Sequence, residues 1–206
     1  MTYRGTARYA DLPPGEVPPL VLAAVEVARQ QGFELCVHPA TGRLLAALAS
    51  GVGDGVVGET GTGTGAGVAW MLSTASPETR IVSIEIDERR ATATAELFAA
   101  HPNVTILHGE ANDLADHGPF DLLVIDSGAH EEGPLHRSRL DPATVLAPGG
   151  LIFKDDLWPM DRWPPLDFHG EVDELRVRLF EHPDLLTTEV TVAEGFAVQL
   201  ARRRPA

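Results

Sequence analysis

The stretch Glu59-Thr60-Gly61-Thr62-Gly63-Thr64-Gly65 decides how this chain is read, because three glycines at alternate positions mark a tight loop between two regular elements. A short apolar run beginning near Gly55 leads into it. A helix from about Gly65 to Ser73 and the β-branched run Ile81-Val82-Ser83-Ile84 follow, which makes a β-α-β unit. The same rhythm continues through a helix over Glu88 to Ala100 and strands at Val104 to Leu107 and Phe120 to Ile125. A helical stretch near His136 to Leu146 and the strand Leu151-Ile152-Phe153 come next. Continuous apolar strands alternating with helices predict a mostly parallel sheet covered on both faces, an α/β Rossmann-like three-layer sandwich. The C-terminus departs from this rhythm. Thr187 to Val192 and Phe196 to Ala201 alternate in polarity around Ala193-Glu194-Gly195, the pattern of an antiparallel hairpin.

Toward the N-terminus, Pro18 to Gln31 carries apolar residues at helical spacing and stops at Gly32. A second helix is expected from Thr41, taken as its N-cap, through Leu44, Leu45 and Leu48. The expected organisation is one domain over residues 1–206, with an N-terminal helical cap at 1–52 and a ligand-binding core at 53–206.

Composition narrows the function. Hydrophobic residues make up 44% of 206, and no apolar run approaches the roughly 20 residues that cross a bilayer. The N-terminus lacks a basic segment followed by an apolar one, so a cytoplasmic location with no membrane partner is expected. A formal charge of −14 argues against nucleic acid as a partner, and Arg202-Arg203-Arg204 reads as a solvated tail. Cys36 is alone, which excludes a disulfide framework. Of the 16 basic residues, Lys154 is the only lysine.

A glycine-rich loop also serves dinucleotide enzymes, where it cradles a pyrophosphate, so the neighbouring residues must discriminate. Glu59 stands two residues before the first glycine and would face like charge in a pyrophosphate site. A sulfonium and an ammonium, in contrast, are attracted by a carboxylate, which favours S-adenosyl-L-methionine over a nicotinamide cofactor. Glu85 closes the second strand, where it can accept hydrogen bonds from a ribose, and His108-Gly109-Glu110-Ala111 ends the third, where an adenine edge would lie. The cofactor set is therefore Glu59, Gly61, Thr62, Gly63, Gly65, Glu85, Ile86, Glu110, Ala111 and Asp126.

These motifs, with Ile84-Glu85-Ile86-Asp87, Phe120-Asp121-Leu122-Leu123-Val124-Ile125-Asp126 and Leu146-Ala147-Pro148-Gly149-Gly150, resemble the class I S-adenosylmethionine-dependent methyltransferases. The resemblance runs from about Thr41 to Asp156 and implies a seven-stranded sheet whose last strand is antiparallel. It also makes a homodimer the expected assembly.

Asp126 ends the fourth strand, and Asp155 and Asp156 end the fifth, so three carboxylates are expected to converge beside the loop. Their repulsion calls for a cation, and magnesium (Mg2+) suits an all-oxygen set. The pattern resembles the metal-dependent small-molecule O-methyltransferases of the catechol, caffeoyl-CoA and macrolide-sugar types, with Asp155-Asp156 nearest the sugar enzymes. Where catechol-type enzymes place a lysine after the first aspartate, this chain has Ala129. The candidate proton acceptors are His130 and Lys154, which with Asp126 form the expected catalytic set. Trp158 to Pro165 and the helical cap are expected to wall a small-molecule acceptor. Two other readings compete: a nicotinamide-dependent oxidoreductase, and an iron-dependent hydroxylase using Asp126 and His130 with a further histidine from His108, His136 or His169.

Overall fold

A computed structural model describes residues 4–13, 15–126 and 143–204. His130 and most of the helix expected near His136 fall outside them. In chain order come α1 (Pro19–Gln31), α2 (Pro39–Ala49), β1 (Val56–Thr60), α3 (Ala66–Leu72), β2 (Arg80–Glu85), α4 (Glu88–Leu97), β3 (Val104–His108), β4 (Phe120–Ile125), β5 (Leu146–Leu157), α5 (Glu174–Glu181), β6 (Leu185–Ala193) and β7 (Phe196–Arg203). Short 3-10 turns at Thr6–Tyr9 and Ala111–His117 complete the description.

The seven strands form one sheet in the order β3-β2-β1-β4-β5-β7-β6. Strands β1 to β5 are parallel, and β7 runs antiparallel to both of its neighbours, so the fold is the Rossmann-like one with an antiparallel C-terminal hairpin. The chain order reverses on either side of β1, and open α/β sheets bind ligands beyond the strand ends at such a point. Register sets the level: Thr60 lies beside Ile84 on one side and Ile125 on the other. Glu59, Glu85 and Asp126 consequently emerge together.

Alternate residues of each strand feed two cores. Val57, Ile81, Leu122, Val124, Phe153 and Val198 pack with Val21, Ala24, Val25, Leu45, Val68 and Met71 of α1, α2 and α3. Val82, Ile84, Leu123, Ile125 and Ile152 face the other way, against Leu114 and the α5 residues Leu175 and Leu179. Burying each large side chain stabilises by about 1.5–3 kcal/mol, so the sheet is held from both faces. In α1 the buried set Val21, Ala24, Val25 and Ala28 follows helical spacing, and Gly32, at φ 65°, ends the helix. Among the described residues no helix is long and apolar enough to cross a membrane.

Four expectations need correction. Helix α2 begins at Pro39, and its cap is His38, whose Nδ1 accepts the Ala40 N–H at 3.1 Å; Thr41 is buried inside the helix. Leu146 opens β5 instead of closing a helix. Strand β5 does not stop before the aspartates but runs through them to Leu157. Arg202 and Arg203, expected in a solvated tail, are instead the last residues of β7, where Arg203 Nη1 donates to the Leu146 carbonyl at 2.6 Å; helix α5 had no counterpart among the expectations.

Candidate active site

The loop after β1 holds Gly61, Gly63 and Gly65 at φ 86°, 56° and 88°, a left-handed region that side chains avoid. Its backbone hangs from β2: the Gly61 and Thr62 N–H groups both donate to the Ile84 carbonyl, at 2.9 and 3.2 Å. A Cβ at Gly65 would meet Phe98 at 2.7 Å, and one at Gly63 would meet Phe33 at 3.0 Å. Glycine is thus required for space as well as for φ.

Glu85 anchors the loop. One carboxylate oxygen accepts the Gly63 N–H at 2.7 Å, and the other accepts the Asp87 N–H at 3.0 Å and Arg90 Nη2 at 2.8 Å. Arg90 in turn lies over the Phe33 ring, 5.2 Å from its centroid. Ile86 is 71% exposed beside it, a bare apolar surface of the kind a flat ring covers. The Gly109 N–H donates to the Glu85 carbonyl, which brings Glu110 and Ala111 to the same rim; Glu110 is exposed and caps the 3-10 turn.

Glu59 sits deeper than expected. It is 1% exposed, Ser83 Oγ donates to its Oε2 at 2.5 Å, and Oε1 lies against Gly67, where a Cβ would be only 2.1 Å away. Burial, with the charges of Asp126, Glu85 and Asp155 adding to it, pushes this carboxyl up to about 8. The sequence alone predicts an ionised carboxylate facing the ligand. In the structure its charge forms fully only above that range or when a nearby cation draws the proton off.

Asp126 is buried at the end of β4, with its N–H on the Thr60 carbonyl at 3.0 Å. One oxygen each from Asp126, Asp155 and Asp156 lie within 4.8 Å of one another. Burial raises Asp126 and Asp155 above the usual carboxylate range, and the Asp126 charge adds to the effect on Asp155. Asp155 Oδ2 is buried without a hydrogen-bond partner. Asp156 adopts φ 57°, at a bulge where β5 takes one residue more than β7 between Lys154 and Leu157. A hard cation with bonds of about 2.0–2.6 Å spans oxygens up to roughly 5 Å apart. The cluster fits one, and the orphaned Asp155 oxygen is the atom it would satisfy.

Lys154 takes a different place. Successive strand residues point to opposite faces, so it leaves the sheet on the side away from Asp155. Its ammonium donates to Asp173 Oδ2 at 3.0 Å, with the pair 14% and 7% exposed. Its ammonium is thus engaged by Asp173, on the opposite sheet face from Asp155. His108 and His169 are exposed and outside the carboxylate group, so among the described residues the iron reading finds no histidine ligand.

Residues 59–157 match the family model described as "Methyltransferase domain". A provisionally named O-methyltransferase of Mycobacteroides abscessus is 28% identical over 139 residues, 62% of this chain and 63% of that protein. The chain thus spans less than two thirds of the length of the curated relatives it matches. Among solved structures, the O-methyltransferase from Bacillus cereus in complex with S-adenosylhomocysteine superposes with a TM-score of 0.72 at 20% identity, covering 97% of this chain and 96% of that one. The O-methyltransferase TomG of Streptomyces achromogenes, solved with S-adenosylmethionine, gives 0.68 at 20% identity, covering 91% and 90%. Sheet order and glycine loop agree with these likenesses: the chain has the fold of the class I methyltransferases, and over residues 59–157 it is similar to a methyltransferase domain.

Arg90, Ser83, Arg176 and Glu189 had no signal in the sequence. Ser83 acts through Glu59, and Arg176 through Glu189, partners distant in sequence that the fold brings near, while Arg90 acts through Glu85 across the turn from β2 to α4.

Proposed function

We propose that this chain is an O-methyltransferase that moves the methyl group of S-adenosylmethionine to a small hydroxylated acceptor, assisted by a divalent cation, magnesium, on Asp126, Asp155 and Asp156. The observation that carries this reading is the buried, partnerless Asp155 Oδ2 among three carboxylates, Asp126 just past β4 and Asp155-Asp156 at the bulge of the neighbouring β5. Glu85 and the loop hold the cofactor by its ribose, with Ile86, Glu110 and Ala111 at the adenine rim. The acceptor oxygen attacks the sulfonium methyl carbon in line; the carbon–sulfur bond breaks, and its electron pair stays on sulfur. Asp126, Asp155 and Asp156 would hold the cation, which would supply stabilisation of the negative charge that develops on the acceptor oxygen. His130 remains the candidate that takes the hydroxyl proton. Trp158, Met160 and Trp163, at 57%, 41% and 54% exposure, offer an apolar wall that suits a flat acceptor. A single cytoplasmic domain acting as a homodimer, with neither nucleic acid nor membrane as partner, accompanies the proposal.

The test is methyl transfer to a panel of catechols, flavonoids and hydroxylated sugars, with chelator and then with magnesium restored. Activity that vanishes in chelator and returns with magnesium supports the reading. Full activity in chelator sinks the metal and leaves a methyltransferase working by proximity and a side-chain base.

A further inference from the structure

On the sheet face away from Asp155, Lys154 of β5, Gln199 of β7 and Glu189 of β6 stand side by side in register, a polar row under α5. Asp173 caps α5 by accepting the Arg176 N–H at 3.0 Å on one oxygen and takes Lys154 on the other. Arg176 is 1% exposed. Its guanidinium binds Glu189 through Nε at 2.9 Å and through Nη2, and Nη2 also donates to the Trp158 carbonyl at 3.0 Å. The second Glu189 oxygen accepts the Met160 N–H at 2.7 Å. Gln199 Nε2 donates to the Arg176 carbonyl at 2.9 Å.

The clasp therefore grips the chain on both sides of Asp155-Asp156: Lys154 before the bulge, Trp158 and Met160 after it. Asp156 at φ 57° stays in a sparsely populated conformation only if its surroundings fix it. A buried ion pair is a poor way to gain stability, since apolar residues of similar volume often do as well. What apolar residues could not do is bind the Trp158 carbonyl and the Met160 N–H.

We propose that Arg176 and Glu189 are positioning residues: together they set the Asp155-Asp156 bulge and the Trp158–Met160 wall, and so govern divalent-ion affinity and acceptor KM without touching cofactor binding. The metal half of this rests on the function proposed above; the hold on the 158–160 backbone does not.

Removing one partner strands a buried charge and can unfold the chain, so the informative variant is the double replacement Arg176→Met with Glu189→Leu, with Glu189→Gln as the conservative control. The full chain, loaded with S-adenosylhomocysteine, is titrated with Mn2+ by calorimetry, and trypsin cleavage after the exposed Arg162 is timed. In the double variant, Mn2+ affinity should fall at least tenfold and cleavage at Arg162 should speed up at least tenfold, with cofactor affinity within twofold. The KM of an accepted substrate should rise more than kcat falls. Glu189→Gln, whose single acceptor oxygen can serve Met160 or Arg176 but not both, should fall between the wild type and the double variant on both readouts. Wild-type Mn2+ affinity and cleavage rate in the double variant would overturn the proposal, as would equal losses of cofactor and Mn2+. If the wild-type chain itself binds no Mn2+, the metal reading fails, and the Arg162 cleavage rate alone decides whether the clasp positions the segment.

Discussion

Glu85 and Gly63 are tied by a 2.7 Å hydrogen bond from the loop N–H to the strand-end carboxylate, so the residue expected to read the ribose also sets the loop's height. Replacing Glu85 by Ala removes the proposed ribose acceptor and orphans the Gly63 and Asp87 N–H groups. Cofactor affinity should drop by about 1.5–3 kcal/mol, the range for hydrogen bonds to a charged group, which is roughly 10- to 150-fold in Kd. The melting temperature should fall too. Unchanged affinity by calorimetry would remove Glu85 from the ribose.

Glu59 gives the fold a pH dependence. Its folded carboxyl titrates near 8 and its unfolded one near 4.5, so between these values the folded state holds the extra proton. Stability from this group is complete below about 4.5 and is lost as pH climbs through about 8. In ligand-free protein the melting temperature should decline from pH 5 to pH 8, and Glu59→Gln should flatten that decline. Equal slopes for the two proteins would show that Glu59 is ionised in the fold throughout.

The strands were legible because parallel strands buried on both faces keep nearly continuous apolar runs, as Ile81 to Ile84 and Phe120 to Ile125 do with only Ser83 and Asp121 interrupting them. The cap of α2 was not, because His38 fills a place usually taken by Ser, Thr, Asp or Asn. Helix α5 was hidden by Arg176, a buried charge in the face that should read as apolar; Leu175-Arg176-Val177-Arg178-Leu179 alternates like a strand. The carboxylate cluster could be anticipated, since strand ends at a switch point converge. Its environment could not: whether Lys154 turns to Asp155 or to Asp173 depends on which sheet face a strand residue takes and on what α5 places there.

That placement makes Lys154→Met a test of structure more than of chemistry. The ammonium is buried, and its loss leaves the Asp173 carboxylate facing a thioether, which for a buried pair costs about 3 kcal/mol or more. The variant should melt well below wild type while the folded fraction binds S-adenosylmethionine normally and turns over at a comparable rate. A wild-type melting temperature with collapsed turnover, together with loss of the acidic limb of the pH-rate profile, would return Lys154 to the role of proton acceptor.

Asp156 should show function set against stability. At φ 57° a residue with a Cβ is strained by about 1 kcal/mol relative to glycine, and its carboxylate adds a third charge to two that burial already raises. Asp156→Gly relieves both the backbone strain and the repulsion, so in chelator its melting temperature should equal or exceed that of wild type. It also removes a ligand oxygen, so the rise in melting temperature that magnesium gives the wild-type chain should shrink or disappear, and methyl transfer should fall with it. Asp156→Asn separates the two effects: asparagine tolerates the left-handed conformation as aspartate does, so it keeps the backbone while giving up the charge. It should lose magnesium response without gaining the backbone relief of the glycine variant. The measurement is thermal melting of the three proteins across a magnesium series. A glycine variant that melts lower than wild type in chelator yet keeps the full magnesium shift would show that Asp156 serves the bulge and not the cation.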